Sequence, residues 1–353
     1  MDLPEPTSRP LKSRTLDLVR GRIDMSHGGG GRAMAQLIDE VFRAAFDNPV
    51  LDRGDDQAQL DIGAGRLAFT TDSYVISPLF FPGGDIGSLA VHGTVNDLAM
   101  AGAVPKWLSS AFIVEEGFPL ADLKRIADSM GAAARAVGMQ VVTGDTKVVE
   151  RGKGDGVFIN TTGIGVVPAG VDIHARRARP GDRILVSGTI GDHGVAILSH
   201  RQGLAFETDL VSDSAPLHGV VAAMLAVAPD LHVLRDPTRG GVAATLNEIA
   251  QAAGVGIRLD ERALPIRAQV RGACELLGLD PLNVANEGKL LAICSEADAE
   301  RVLAAMRAHP FGREAAIIGS VVEDAQRFVS MDTVFGGRRM VDWLVGEQLP
   351  RIC

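Results

Sequence analysis

Apolar positions along the chain fall at two spacings, and the changes between them mark out the elements. Pro119 opens a run in which Leu120, Leu123, Ile126, Met130, Ala133 and Val137 share one helical face. Met34, Leu37, Ile38, Val41 and Phe42 keep the same spacing after a glycine run. A Gly/Ala-rich stretch, roughly Ile86 to Ala101, predicts another helix. Strand-like runs cover Gln59 to Ile62, Leu67 to Thr71, Trp107 to Val114, Val141 to Thr143 and Val157 to Val167. The turn Arg179-Pro180-Gly181-Asp182 then feeds a strand from Arg183 to Ser187. Beyond it, helices are predicted at 193–202, 216–227, 241–253, 266–278 and 296–308, and strands at 255–259, 289–294 and 315–322. Arg327 to Asp332 and Arg338 to Trp343 read as a hairpin around Gly336-Gly337.

This order predicts an α/β chain with mixed (α+β) sheets, divided near residue 170. Residues 1–22 read as a disordered extension rich in Pro, Ser and Arg. Residues 23–169 and 170–328 form two domains of similar size, and 329–353 a hairpin and a mobile tail ending in Cys353. The length of 353 residues agrees with two cores rather than one. With 46% hydrophobic but only 4% aromatic residues, those cores are built from Ala, Val, Leu and Ile.

Charge and cysteine content narrow the classes further. Thirty-five basic against 44 acidic residues leave −9, which argues against nucleic acid or an anionic membrane as the main partner. Three cysteines are too few for a disulfide framework and suit a reducing compartment. The first twenty residues lack an apolar secretion segment, and Gly219 to Ala228 is half a membrane span. A soluble cytoplasmic protein is the expectation.

Forty-one glycines invite a phosphate-binding reading. No P-loop pattern occurs, nor HExxH or GxSxG. Gly63-Ala64-Gly65-Arg66-Leu67-Ala68 fits a dinucleotide fingerprint as a string, but a strand follows it where a helix N-terminus is needed. What remains is acidic residues at glycine- or threonine-lined positions: Asp72 ending a strand, Asn96-Asp97 inside a helix, and Asp145 directly after a strand. Each alone is a turn or cap residue. Together they meet the needs of Mg²⁺ carrying a polyphosphate, which takes a few carboxylates plus phosphate oxygens. Arg235-Asp236-Pro237-Thr238-Arg239-Gly240-Gly241 leads into a helix and reads either as a plain N-cap turn or as an anion site.

SHGGGG, TTDSY, HGTVNDLAMAGA, VVTGDTKVVERGKGDG, FINTTGIG, RDPTRGGVAATLNEIA, NEGKLLA and PRIC occur in that order. Together they resemble the HypE family of hydrogenase maturation factors, carbamoyl dehydratases of the PurM-like ATP-binding superfamily, from about Asp24 to Cys353. The resemblance implies a PurM-like two-domain architecture with a flexible tail, and a homodimer whose N-terminal domains pair their sheets around ATP. Gly28, Gly29, Gly30 and Gly31 would be a flap over the phosphates. Asp72, Asp97 and Asp145 match metal and phosphate positions, with Asn96 and Thr146 beside them, and Arg239, Gly240 and Gly241 join the nucleotide set.

The family's reaction gives Cys353 a purpose. A carbamoyl group delivered by the carbamoyltransferase HypF sits on that thiol, ATP drives its dehydration to a thiocyanate, and cyanide passes to iron on HypC–HypD for [NiFe] hydrogenase. Lys147 and Glu287 match positions credited with proton handling: Glu287 accepting the proton, Lys147 positioning the amide. Without the resemblance they read as a strand-edge lysine and a turn residue. Cys274 and Cys294 read as buried, inert thiols. The alternatives are another PurM-like enzyme, of the thiamine-monophosphate kinase or selenophosphate synthetase type, or a non-catalytic nucleotide-binding carrier.

Overall fold

The computed structural model describes residues 15–28, 32–48, 63, 65–202, 210–342 and 351–353. The expected strand Gln59 to Ile62 and the glycines Gly29 to Gly31 lie outside these residues.

The first half is built on a four-stranded sheet. It holds β1 (Arg66–Tyr74), β4 (Val104–Glu115), β5 (Gln140–Val149) and β6 (Val157–Val167) in the order β1-β6-β4-β5. Only β4 and β5 run parallel, and α4 (Leu120–Ala136) makes the crossover between them. A small hairpin, β2 (Phe80–Phe81) and β3 (Gly84–Asp85), delivers the chain to α3 (Ile86–Met100). Asp85 stops the extended chain there: its side chain accepts from the Gly87 and Ser88 amides while the Ser88 hydroxyl accepts from the Asp85 amide. Helix α3 is apolar nearly all round because it is enclosed between the sheet, α4 and the second half. The Tyr74 ring packs on Gly93, where a Cβ would stand 2.2 Å from the phenol oxygen.

Two differences from the sequence reading lie near the start. Residues 15–22 are not loose: Leu16 and Leu18 pack on the first core, and the Gly21 carbonyl accepts from the Leu120 amide at 3.0 Å. The apolar spacing from Leu37 to Phe42 is helical, but α1 (Arg32–Leu37) continues as a π-helical stretch, Ile38–Arg43, before α2 (Ala44–Phe46). The wider turn still buries Leu37, Val41 and Phe42.

The second half is a seven-stranded sheet, ordered β13-β12-β9-β11-β7-β10-β8. Its strands are β7 (Arg183–Val186), β8 (Val233–Arg235), β9 (Gly256–Asp260), β10 (Leu291–Cys294), β11 (Ala316–Val322), β12 (Val329–Asp332) and β13 (Arg338–Met340). One apolar cluster covers each face. The first packs α7 (Gly241–Ala253) onto the sheet; the second packs α6 (His218–Val227) and α9 (Glu296–Ala308). Helices α5 (Asp192–Gln202) and α8 (Ala268–Leu277) frame a smaller cluster at one end. The hairpin at 329–340 is present, yet it does not stand apart from the second half. Strand β12 pairs in parallel with β9, so the hairpin extends that sheet past residue 328. Short β8 carried no period the sequence reading used.

Residues 351–353 return to the first half and pack there, while 343–350 lie outside the described residues. Ile352 is 3% exposed within the first core, which it shares with Ile197 and Ala285. The Val75 amide donates to the Cys353 carbonyl at 3.0 Å and the Ser77 amide to the Arg351 carbonyl at 3.3 Å, an antiparallel pairing past the end of β1. Among the described residues no helix is long and apolar enough to cross a membrane.

Candidate functional site

Strand alternation decides where the candidate residues point. On β1, Thr70, Asp72 and Tyr74 face the helices, and Thr70 donates to the Asp97 carboxylate of α3 at 2.6 Å. Asp72 therefore lies inside the strand rather than at its end, on the same side as Asp97. The loop after β8 brings Asp236 to this pair, and the turn before β10 brings Glu287. Asp213, from the loop ahead of α6, accepts from the Glu287 amide at 2.9 Å, and its other oxygen lies 3.2 Å from Lys289 Nζ.

The result is a cluster of converging carboxylates where elements of the two halves meet, here called the cleft. Glu287 is 3% exposed, and its Oε1 has no hydrogen-bond partner among the described residues. Burial, then the charges of Asp213, Asp236, Asp72 and Asp97, push its carboxyl well above the usual range. Burial and Asp97 push Asp236 up to about 7, and burial raises Asp97 against the hydrogen bond from Thr70. Asp236 and Glu287 thus bind protons more tightly folded than unfolded. Their contribution to stability is complete below the unfolded carboxylate range and is lost as pH rises through the folded value. In the ligand-free protein the thermal midpoint is expected to drop by about 2–4 °C from Asp236 between about pH 6 and about pH 8. Differential scanning fluorimetry of Asp236→Asn should show that part of the slope removed.

The Asn96 side chain is engaged within the fold. Its amide nitrogen donates to the Ala215 and Glu287 carbonyls, both at 3.1 Å, and its oxygen accepts from the Leu217 amide at 2.8 Å. It braces the two loops that carry Asp213 and Glu287. The glycines of RDPTRGG meet steric demands of the fold. Gly241 has φ +60°, and a Cβ there would stand 2.5 Å from the Leu282 carbonyl oxygen. Its amide donates to the Thr238 carbonyl, which uses one of the donors an anion would need. Gly240 caps α7 in the left-handed region, and Arg239 stands exposed on the turn before it.

Asp145 and Lys147 are not part of this cleft within one chain. They lie in the middle of β5, not after it, on the sheet face opposite the helices. Row by row, Asp72 is in register through Thr161 and Ser110 with Gly144, so β1 and β5 stand at opposite edges about 14 Å apart. Lys147 Nζ lies 2.8 Å from Asp145 Oδ1, both side chains are more than half exposed, and that pairing holds the Asp145 carboxyl below its usual value. Thr146 points the other way and is buried. Gly28 ends a 3-10 turn, Met25–Gly28, beside β5; the rest of the glycine run lies outside the described residues.

Sequence reasoning missed Asp213, Asp236 and His193. Asp236 lies within a quoted motif and follows a strand, a signal that was available. Asp213 and His193 sit in no nucleotide pattern. The thiols behave as expected at two positions: burial pushes Cys274 up to about 11 and Cys294 up to about 12. Cys353 sits partly exposed on the first core, three residues along the ladder from Asp72 through Val75.

Among the described residues no three His, Cys, Asp or Glu side chains form a metal-holding group. The donor chemistry at Asp72 and Asp97 nevertheless fits a hard divalent cation: two carboxylates close enough for the Asp72 charge to act on Asp97.

Comparison with known proteins agrees with this architecture. Residues 54–167 match the AIR synthase related protein N-terminal domain, and residues 179–332 its C-terminal domain. The carbamoyl dehydratase HypE of Azotobacter vinelandii is 68% identical over 338 residues, covering 96% of this chain and 99% of its own. A crystal structure of the hydrogenase maturation protein HypE in complex with ATP aligns with a TM-score of 0.90 at 53% identity, covering 93% of this chain and 99% of that one. In a HypE–HypF complex, the aligned chain has a TM-score of 0.77 at 49% identity, covering 87% of this chain and 99% of its own. With two AIR synthase related domains in order and 68% identity to a HypE over nearly the full length of both chains, this chain belongs to the HypE family of carbamoyl dehydratases.

Proposed function

We propose that the chain dehydrates a carbamoyl group carried on the Cys353 thiol, using ATP, to supply cyanide for hydrogenase maturation. One observation carries this reading: the segment holding Cys353 pairs with Val75 to Ser77, on the continuation of the strand that bears Asp72, beside the cleft of Glu287. An amide oxygen is a poor leaving group, and phosphorylation makes it a good one. The C–O–P bond forms as the bond to ADP breaks; phosphate then leaves carbon, and both amide N–H protons are lost to give the nitrile. Glu287, buried near this segment, is suited to take one of those protons in its ionised form, which a cation held at the neighbouring carboxylates would favour. Asp72 and Asp97 would hold Mg²⁺, which supplies charge neutralisation at the phosphates. A single turnover of carbamoylated protein should release one phosphate per loaded Cys353. Phosphate release independent of loading would overturn the reading.

The open sheet face supports a homodimer. Phe69 is 70% exposed, Leu67 46%, Val104 48% and Ile113 44%, and register sets the first three beside Ile164, Val166 and Trp107. That is an apolar face on a two-sided sheet; polar rows ending in Thr143 and Asp145 continue it, and Lys147 stands beside Ile113 at its far side. A second copy packed on this face brings its Asp145, Thr146 and Lys147 region toward the neighbour and so allows a composite ATP site with Arg239 and the glycines at its border. Phe69→Asp is expected to weaken dimerisation at least about tenfold by light scattering, since it buries an unpaired charge. HypF fits as the carbamoyl donor, given the HypE–HypF complex of a relative. An iron-bearing HypC–HypD acceptor and a reducing cytoplasm, where the thiol stays free, complete the reading.

A further inference from the structure

Three residues of α5, spaced by four, meet the segment that ends in Cys353: His193, Ile197 and Arg201. Ile197 shares the apolar cluster of Ile352. Arg201 donates from Nη2 to the Arg351 carbonyl at 2.7 Å and from Nε to the Ser77 carbonyl at 2.8 Å, joining the two paired strands at their end. His193, fully buried, completes the set. In the antiparallel pairing the Arg351 and Cys353 carbonyls face Ser77 and Val75, so the intervening Ile352 carbonyl points away. His193 Nε2 meets it at 2.8 Å. Ile352 is buried, and among the described residues that donor is the partner its carbonyl has.

The Ile352 carbonyl can only accept, so the proton is on Nε2; Nδ1 then accepts from the Ser212 hydroxyl at 2.7 Å, and that hydroxyl in turn accepts from the Ser214 amide at 3.1 Å. Phe81 holds the ring edge-on, 5.9 Å between centroids. Ser212 adjoins Asp213, the residue that accepts from the Glu287 amide. A continuous set of bonds therefore runs from the Ile352 carbonyl through His193 and the Ser212–Asp213 loop to the backbone of Glu287.

We propose that His193 is a positioning residue: it seats the Cys353 segment and ties that seat to the loop which fixes Glu287. The seat aligns the thiol-borne group with the carboxyl that takes its proton. The catalytic consequence rests on the dehydratase reading; the seat itself does not.

Alkylation of the ligand-free full-length protein with iodoacetamide, followed by peptide mass spectrometry, tests the seat. Cys274 and Cys294 serve as internal reporters of the fold, since both are buried. In His193→Phe the ring remains and the donor is gone, so Cys353 should react about 5- to 20-fold faster while Cys274 and Cys294 stay protected. His193→Gln keeps an N–H donor and should restore protection of Cys353. Wild-type protection in His193→Phe, with the reporters intact, overturns the proposal. Should the reporters open in His193→Phe, Ser212→Ala decides: faster reaction of Cys353 alone supports the seat, and wild-type protection overturns it. With preloaded protein, His193→Phe should lower the single-turnover dehydration rate at unchanged ATP half-saturation, and His193→Gln should recover it. If alkylation responds as stated while wild-type protein fails to dehydrate its carbamoyl group, the dehydratase reading falls and the seat stands.

Discussion

Glu287→Gln is expected to slow dehydration of a carbamoylated Cys353 by at least about 10²-fold, with the fold intact. The substitution keeps the size of the side chain and removes its ability to take a proton. It also removes a carboxyl that burial and four neighbouring carboxylates disfavour in its charged form, so the thermal midpoint should hold or rise. Carbamoyl loading should continue, because that transfer needs the thiol and not this carboxyl. The pattern separates a chemical role from a structural one: dehydration fails, while loading and stability do not. Loss of loading together with dehydration would instead make Glu287 part of the tail's seat or of the partner surface.

The second large effect concerns residues that one chain keeps apart. Glu287, Asp72 and Asp97 lie on the helix side of the first sheet, and Asp145 and Lys147 on its open side. If both sets serve one reaction, they come from two copies. Lys147→Ala and Glu287→Gln should each be inactive alone. Co-expressed with distinct tags and mixed evenly, they should recover about a quarter of wild-type activity, because half the dimers are mixed and each holds one site with both residues intact. Sites completed within one chain would give no recovery. Phe69→Asp in either partner should abolish the recovery, which links it to the open sheet face.

Long periodic elements were legible from sequence. Pro119 marked the start of α4, and 241–253 and 296–308 match α7 and α9. These helices carry one buried stripe and clear ends. Short or enclosed elements were less so: β8 has three residues, and the β2–β3 pair has two in each strand. Among site residues, the strand assignment of Asp72 and Asp145 was nearly right, but one position decides which face a side chain takes. Placing Asp145 after its strand rather than inside β5 hid its separation from Asp72. For Asn96 and Gly241 the sequence could not show the packing roles, because buried amides and close-packed glycines serve packing as well as phosphate. Residues 351–353 looked like a tail because three residues show no period; their order comes from contacts supplied by α5 and the end of β1.

The proposed chemistry depends on Cys353 as the carrier of the carbamoyl group. Mass spectrometry of the peptide containing Cys353, taken from carbamoylated protein before and after Mg-ATP, tests it most directly. That peptide should lose the mass of one water on adding ATP, with the modification located on the thiol. ATP hydrolysis with an unchanged carbamoyl peptide would contradict it.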